Sequence, residues 1–124
     1  MISLPHLFQN FMTKLPKNIF MLGIGGIGMS ALAQYYQGAG SRVTGKDRTL
    51  SPVTKLLQEK GIEVRKDTGD TEQMEEFNLL IYSDAIPEEH PSRVQARASG
   101  IPELSYFEAL GEITKGTKTI AVAG

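Results

Sequence analysis

Cysteine is absent from the 124 residues. That removes disulfide frameworks, thiolate metal sites and a cysteine nucleophile together, and it fits a reducing cytoplasm. An excess of either charge is also missing: 13 Lys and Arg against 14 Asp and Glu leave a formal net charge of −1. No broad basic face is therefore available for nucleic acid. No apolar run approaches the roughly 18 residues of a membrane span. The opening MISLPHLFQNFMTKLPKN breaks its apolar residues with Pro5, His6, Gln9 and Asn10 and lacks a basic start. It reads as an irregular arm or short helix, over residues 1–17, rather than a secretory signal. His6 and His90 have no partner at ligand spacing, so no metal site is expected and each reads as a surface or capping residue. Nothing forms a nucleophile–base pair, and no catalytic residue is assigned. Internal repeats and low-complexity segments are absent too.

What remains is an ordinary globular composition, 40% hydrophobic and 22% charged, enough for one domain with one core. Ile19–Leu22 is a short apolar run before glycines and reads as a buried strand. From Ile27 to Gln37 the pattern turns helical, with Ile27, Ala31, Leu32 and Tyr35 in phase and Gly38 and Gly40 ending it. Arg42–Gly45 predicts a second strand closing at Lys46-Asp47. A helix over Leu50–Lys60 starts at Ser51-Pro52, points Val53, Leu56 and Leu57 inward, and stops at Gly61.

Ile62–Val64 predicts a third strand. The polar stretch Asp67–Glu76 holds at most a short helix, its Glu72, Glu75 and Glu76 being a solvated face. Leu79–Tyr82 is an apolar fourth strand, with SDAIPEEHP as its exit. A helix over Pro91–Ser99 ends at Gly100. Ile101–Leu104 is a fifth strand with Pro102 at its edge. Ser105–Ile113 is a helix with a Ser105/Glu108 capping box. Lys115–Lys118 is a linker, and Thr119–Ala123 is one more strand, outside the first domain. Alternating strands and helices with short connections predict an α/β fold: a Rossmann-like, doubly wound, mainly five-stranded parallel sheet with helices on both faces. The domain occupies residues 18–115, and 116–124 forms a linker and first strand of a further domain. Severed from its own sheet, that strand has unpaired backbone groups, which predicts either self-association through it or disorder.

Gly23-Ile24-Gly25-Gly26-Ile27-Gly28 satisfies G-x-G-x-x-G between the first strand and the first helix. Gly23 permits the turn, Gly25 lets backbone approach a diphosphate, and Gly28 lets helix and strand pack closely. The N–H groups at the helix start, around Gly26–Met29, point at the anion, and Ser30 adds a hydroxyl. The alternative is a set of glycines serving only a close turn. Asp47 lies 19 positions after Gly28, where a carboxylate accepts from ribose hydroxyls; otherwise it is a turn aspartate. The topology brings Ser83-Asp84-Ala85 opposite Gly25 across the crevice between the first and fourth strands. Asp84, repelled by phosphate, meets sugar hydroxyls or turns away. Alternatively SDAIP is a polar turn closed by Pro87. Tyr35 and Tyr36 read as packing residues. These residues say nucleotide and leave dinucleotide or nucleotide-sugar open.

FMLGIGGIGMSALAQYYQGAGSRVTGKD, LLIYSDAIPEEHPSRVQARASGIPELSYFEAL and TIAVAG together resemble the N-terminal domain of the Mur ligases of bacterial peptidoglycan synthesis. The resemblance covers about residues 19–124, and its best match is the member that joins L-alanine to UDP-N-acetylmuramate. It implies a cytoplasmic enzyme whose Rossmann-like first domain holds the UDP part of that substrate. Carried over, Gly23, Ile24, Gly25, Gly26, Ile27, Gly28, Met29 and Ser30 cradle the diphosphate. Asp47 meets the uridine ribose, and Ser83, Asp84, Ala85 and Ile86 line the uridine side. Gly124 matches the first glycine of an ATP-binding loop. ATP and Mg2+ then serve the full-length enzyme, with L-alanine attacking an acyl phosphate, while this piece needs neither and is inactive alone. Relatives commonly carry Ser-Ser-Ala-Ile at Ser83–Ile86, and Gly-His where this chain has Lys66-Asp67-Thr68-Gly69.

Three other readings stand beside it. The glycine loop with Asp47 fits the NAD(P)-binding domain of an oxidoreductase, with Arg48 suited to a 2′-phosphate. A regulatory nucleotide-sensing module would need no chemistry. Within the family, a ligase attaching a peptide to UDP-N-acetylmuramate would have much the same first domain.

Overall fold

The computed structural model describes residues 15–116. The expected strand Thr119–Ala123 and Gly124 lie outside that range, as does most of the N-terminal arm. Strands β1 (Asn18–Leu22), β2 (Arg42–Asp47), β3 (Glu63–Lys66), β4 (Leu79–Tyr82) and β5 (Glu103–Ser105) form one sheet in the order β3-β2-β1-β4-β5. Every pairing is parallel, with Ile19 opposite Val43 on one side and Leu79 on the other. Helices α1 (Ile27–Gly38), α2 (Pro52–Glu59), α3 (Pro91–Ala98) and α4 (Tyr106–Gly116) connect or follow the strands. This is the expected doubly wound α/β sheet.

The central strands are apolar because both faces are covered. Ile19, Met21 and Ile81 pack on one face with Leu32, Ala33 and Tyr36 of α1, Leu57 of α2 and Ala109 of α4. Phe20, Leu22 and Leu80 pack on the other with Met74, Phe77 and Ala96 of α3. On the first face, burial, reinforced by Tyr35 and Glu112, pushes the Tyr36 phenol up to about 12, so the ring stays neutral. The end of the arm runs beside β2: the Pro16 carbonyl accepts from Ser41 Oγ at 2.6 Å and that of Lys17 from the Arg42 N–H at 2.7 Å.

Several local expectations change. Helix α1 buries Met29, Ser30, Leu32, Ala33 and Tyr36, whereas Ile27 is 89% exposed and Tyr35 43%. Ile27, Ala31 and Tyr35 form a second apolar stripe at i, i+4, i+8 spacing, and the sheet takes the other one. Helix α2 is shorter than expected and buries Thr54 with Leu57, leaving Leu56 outward. The Ser51 cap makes a reciprocal box with Thr54. Strand β5 begins after Pro102, whose carbonyl accepts the Leu80 N–H at 2.9 Å. The Ser105/Glu108 box forms as expected. Helix α4 continues to Gly116, through residues expected to be linker.

Residues 67–76 contain no helix. Glu72 is no solvated face. It bridges Lys46 at 2.8 Å and Arg65 at 2.7 Å, the Lys46 side chain being only 5% exposed. A lysine buried to that degree needs its partner, so Glu72 pins the segment after β3 onto the sheet.

Candidate functional site

Strands β1 and β4 are neighbours, yet the chain leaves them toward opposite faces of the sheet. A crevice of about 850 Å³ opens beyond the carboxyl ends of the strands, where open α/β sheets bind ligands. It is lined by the glycine loop, the ends of β2 and β3, and the exit of β4.

The glycine loop is held by its own bonds. Leu22 ends β1, and the Gly23 and Ile24 N–H groups both donate to the Lys46 carbonyl, at 2.9 and 3.2 Å. Gly23 has φ +79° and its missing side chain would meet Ser83 Oγ at 2.6 Å. Both the turn and the approach of β4 therefore require glycine there. Ile24 points down into the core against Gly45, anchoring the loop to β2. Gly26 caps α1 through no side chain, and no acidic residue sits in the first turn. Helix geometry leaves the N–H groups of Ile27, Gly28 and Met29 without intrahelical acceptors, at the positive end of the dipole. That is an arrangement for an anion.

Of the residues read from the sequence, Gly23, Gly25, Gly26, Asp47, Ser83, Ala85 and Ile86 line the crevice. Asp84 is exposed and is not among the lining residues. The side chains of Ile24, Met29 and Ser30 are buried, with Ser30 Oγ donating to the Ile27 carbonyl at 3.0 Å. Ile27 projects outward. Gly28 makes room for a different neighbour than expected: the space of a Cβ there is taken by the Tyr106 ring at the start of α4, 2.6 Å away, not by a strand.

Asp47 closes on the loop. Its Oδ2 accepts from the Gly25 N–H at 2.8 Å and its Oδ1 from the Thr49 N–H at 3.0 Å. Carboxylate oxygens each accept twice, so capacity for ribose hydroxyls remains while the loop stays fixed.

The β4 exit is clamped from behind. Arg93 stacks 3.6 Å over the Tyr82 ring, donates from Nη1 to the Ile86 carbonyl at 3.0 Å, and pairs through Nε with Glu103 at 2.7 Å. Arg97 adds bonds to Glu103 and to the Glu88 carbonyl.

Sequence reading missed part of the lining: Thr49, Ser51, Asp67, Thr68 and Gly69 on one side, and Glu89 and His90 on the other. His90 does cap α3, its Nδ1 accepting from the Ser92 N–H at 3.0 Å, but its Nε2 also meets Asp67 Oδ2 at 2.7 Å. Burial is the largest influence on Asp67 and opposes its charge. The Gly69 N–H, His90 and Lys46 together outweigh burial and hold the carboxyl below its usual value. Glu72 behaves alike, with burial outweighed by Lys46 and Arg65.

Both carboxyls are thus more acidic folded than unfolded. Their contribution to stability is present above the ordinary carboxylate range and is lost as pH falls through their folded values. We expect urea midpoints to fall steeply below about pH 4, and the Asp67→Asn and Glu72→Gln variants to show a shallower fall. Parallel pH profiles for wild type and both variants would contradict this.

Among the described residues there is no cluster able to hold a metal ion and no helix long and apolar enough to cross a membrane. Comparison with known proteins adds the lineage. The UDP-N-acetylmuramate–L-alanine ligase of Clostridium novyi is 38% identical over 116 residues, covering 93% of this chain and 25% of the relative. The solved UDP-N-acetylmuramate–alanine ligase of Thermotoga maritima superposes with a TM-score of 0.71 at 27% identity, over 79% of this chain and 23% of that one. A Neisseria meningitides ligase, UDP-N-acetylmuramate:L-alanyl-gamma-D-glutamyl-meso-diaminopimelate ligase, gives 0.64 at 28% identity, over 73% and 28%. The chain therefore spans about a quarter of the length of the curated relatives it matches. Residues 18–118 match the model of the Mur ligase family, catalytic domain. With the crevice, the glycine loop and these matches together, the chain belongs to the Mur ligase family.

Proposed function

We propose that this chain is the UDP-binding part of a cytoplasmic, ATP-dependent ligase that joins L-alanine to UDP-N-acetylmuramate. Residues 18–115 form the substrate domain in this reading. The observation that carries the reading is the glycine loop, fixed from below by Ile24 and from the side by Asp47, with the first turn of α1 open to an anion. Relatives 38% and 35% identical, over 93% and 86% of this chain, are named for that activity.

In this reading the Ile27–Met29 N–H groups take the diphosphate, Asp47 receives ribose hydroxyls, and Ser83, Ala85 and Ile86 bound the uridine side. Fixed backbone donors suit a diphosphate because they need no reorganisation when it arrives. In the full-length enzyme ATP, with Mg2+, would supply the activation of the muramoyl carboxylate. The described residues contribute binding and orientation, and no step of that chemistry is assigned to them.

Calorimetric titration tests this. UDP-N-acetylmuramate and UDP are expected to bind this chain and NAD is not, while ATP with L-alanine and the sugar nucleotide yields no phosphate release. Binding of NAD alone, or alanine-dependent ATP hydrolysis by this chain, would contradict the reading.

A further inference from the structure

Asp67 leaves the end of β3 and His90 precedes α3, on the far side of β4. Strands β2 and β1 lie between β3 and β4, so the strand ends themselves stand about 14 Å apart. The two side chains nonetheless meet at 2.7 Å, with only 4% and 10% exposed for Asp67 and His90. Both line the crevice. Each has its remaining polar atoms engaged: Asp67 Oδ1 accepts from the Gly69 N–H at 3.0 Å, and His90 Nδ1 from the Ser92 N–H. An acceptor at Nδ1 leaves the proton on Nε2, aimed at Asp67.

The bond does not stand alone. The Asp67 N–H donates to the Asp47 carbonyl at 2.8 Å, and the Asp47 carboxylate accepts from Gly25. These hydrogen bonds, joined through the backbone and side chain of Asp67 and of Asp47, link the α3 cap and His90 to the glycine loop.

We propose that Asp67 and His90 are positioning residues, a clasp that joins the two walls of the crevice and sets its width for the nucleoside end of the ligand. The diphosphate end is held by the first turn of α1 and does not depend on it. Loss of the clasp therefore separates two affinities, for UDP and for inorganic pyrophosphate. This inference rests on the nucleotide reading above.

The test compares wild type, Asp67→Ala, His90→Asn and the double variant of the full chain. Asparagine at position 90 keeps an acceptor for the Ser92 N–H but is too short to reach Asp67. Each variant is expected to bind UDP about tenfold more weakly, the scale of one charge-assisted hydrogen bond, with the double variant no worse than either single one. Pyrophosphate affinity is expected to stay unchanged. The wild-type His90 imidazole should show the Nε2–H form in its ¹⁵N shifts, and Asp67→Ala should move them. Wild-type UDP affinity in the variants, additive losses in the double variant, or an equal loss of pyrophosphate binding would overturn the clasp alone. A wild-type chain that bound no UDP would overturn the nucleotide reading and the clasp with it.

Discussion

Gly25→Ala is expected to weaken UDP-N-acetylmuramate binding about 30- to 100-fold, the ~2–3 kcal/mol carried by a hydrogen bond to a charged group in a partly buried site. Gly25 has no unusual backbone angle; what it needs is space. A Cβ there would lie 2.9 Å from Asp47 Oδ2 and 2.9 Å from the Thr54 methyl. Thr54 is buried and tied into the α2 capping box, so the strain falls on Asp47. The carboxylate moves off the Gly25 N–H, and the loop and the ribose acceptor lose their alignment together. The core is untouched, so melting is expected to change little. Direct titration checks the pair of outcomes, and an alanine variant that bound as tightly as wild type would remove the loop from the site.

Gly45→Ala acts on the same loop through stability. Gly45 lies in the middle of β2, buried, and a Cβ there would meet Ile24 at its Cβ, 2.8 Å away, as well as at its Cδ1. A contact with Cβ cannot be relieved by a rotamer change, so either β2 or the glycine loop must shift. Overpacking of this kind costs about 1–3 kcal/mol, which for a chain of this size lowers the melting temperature by roughly 4–12 °C. Gly45→Ala combined with Ile24→Ala should cost less than the sum of the two single changes, because alanine at position 24 removes the Cγ2 and Cδ1 contacts while its Cβ contact remains. Melting of the single variant within about 1 °C of wild type would contradict the packing account.

Strand identity was legible because the buried strands Ile19–Leu22 and Leu79–Tyr82 are unbroken apolar runs between turn residues, which a two-sided sheet demands. The glycine loop was legible because its residues are local: six consecutive positions fix the turn, the cap and the start of α1. The inward face of α1 was not, because Ile27, Ala31 and Tyr35 mimic a core stripe as well as Met29, Leu32, Ala33 and Tyr36 do. Only the sheet's position decides between them. Leu56 failed for a related reason: Thr54, a polar residue by composition, turns inward with its hydroxyl bonded to Ser51.

The clasp was invisible for a different reason. Asp67 and His90 are 23 residues apart, in segments without periodicity, and nothing local relates them. His90 could be read as a capping residue from its place before Pro91, which is half of its role. The other half appears only when β3 and β4 are placed with two strands between them and their loops fold over the sheet. Tyr106 against Gly28 is a similar case, joining the start of α4 to the start of α1 across 78 positions.

Amide NMR shift mapping, with UDP-N-acetylmuramate and NAD titrated separately, tests the central claim most directly. The account predicts that the sugar nucleotide alone moves the amides of Gly25–Ser30, Asp47 and Ser83–Ile86, leaving the outer face of α2 still. Shifts with NAD alone, or shifts from the sugar nucleotide that avoid the glycine loop, would contradict it.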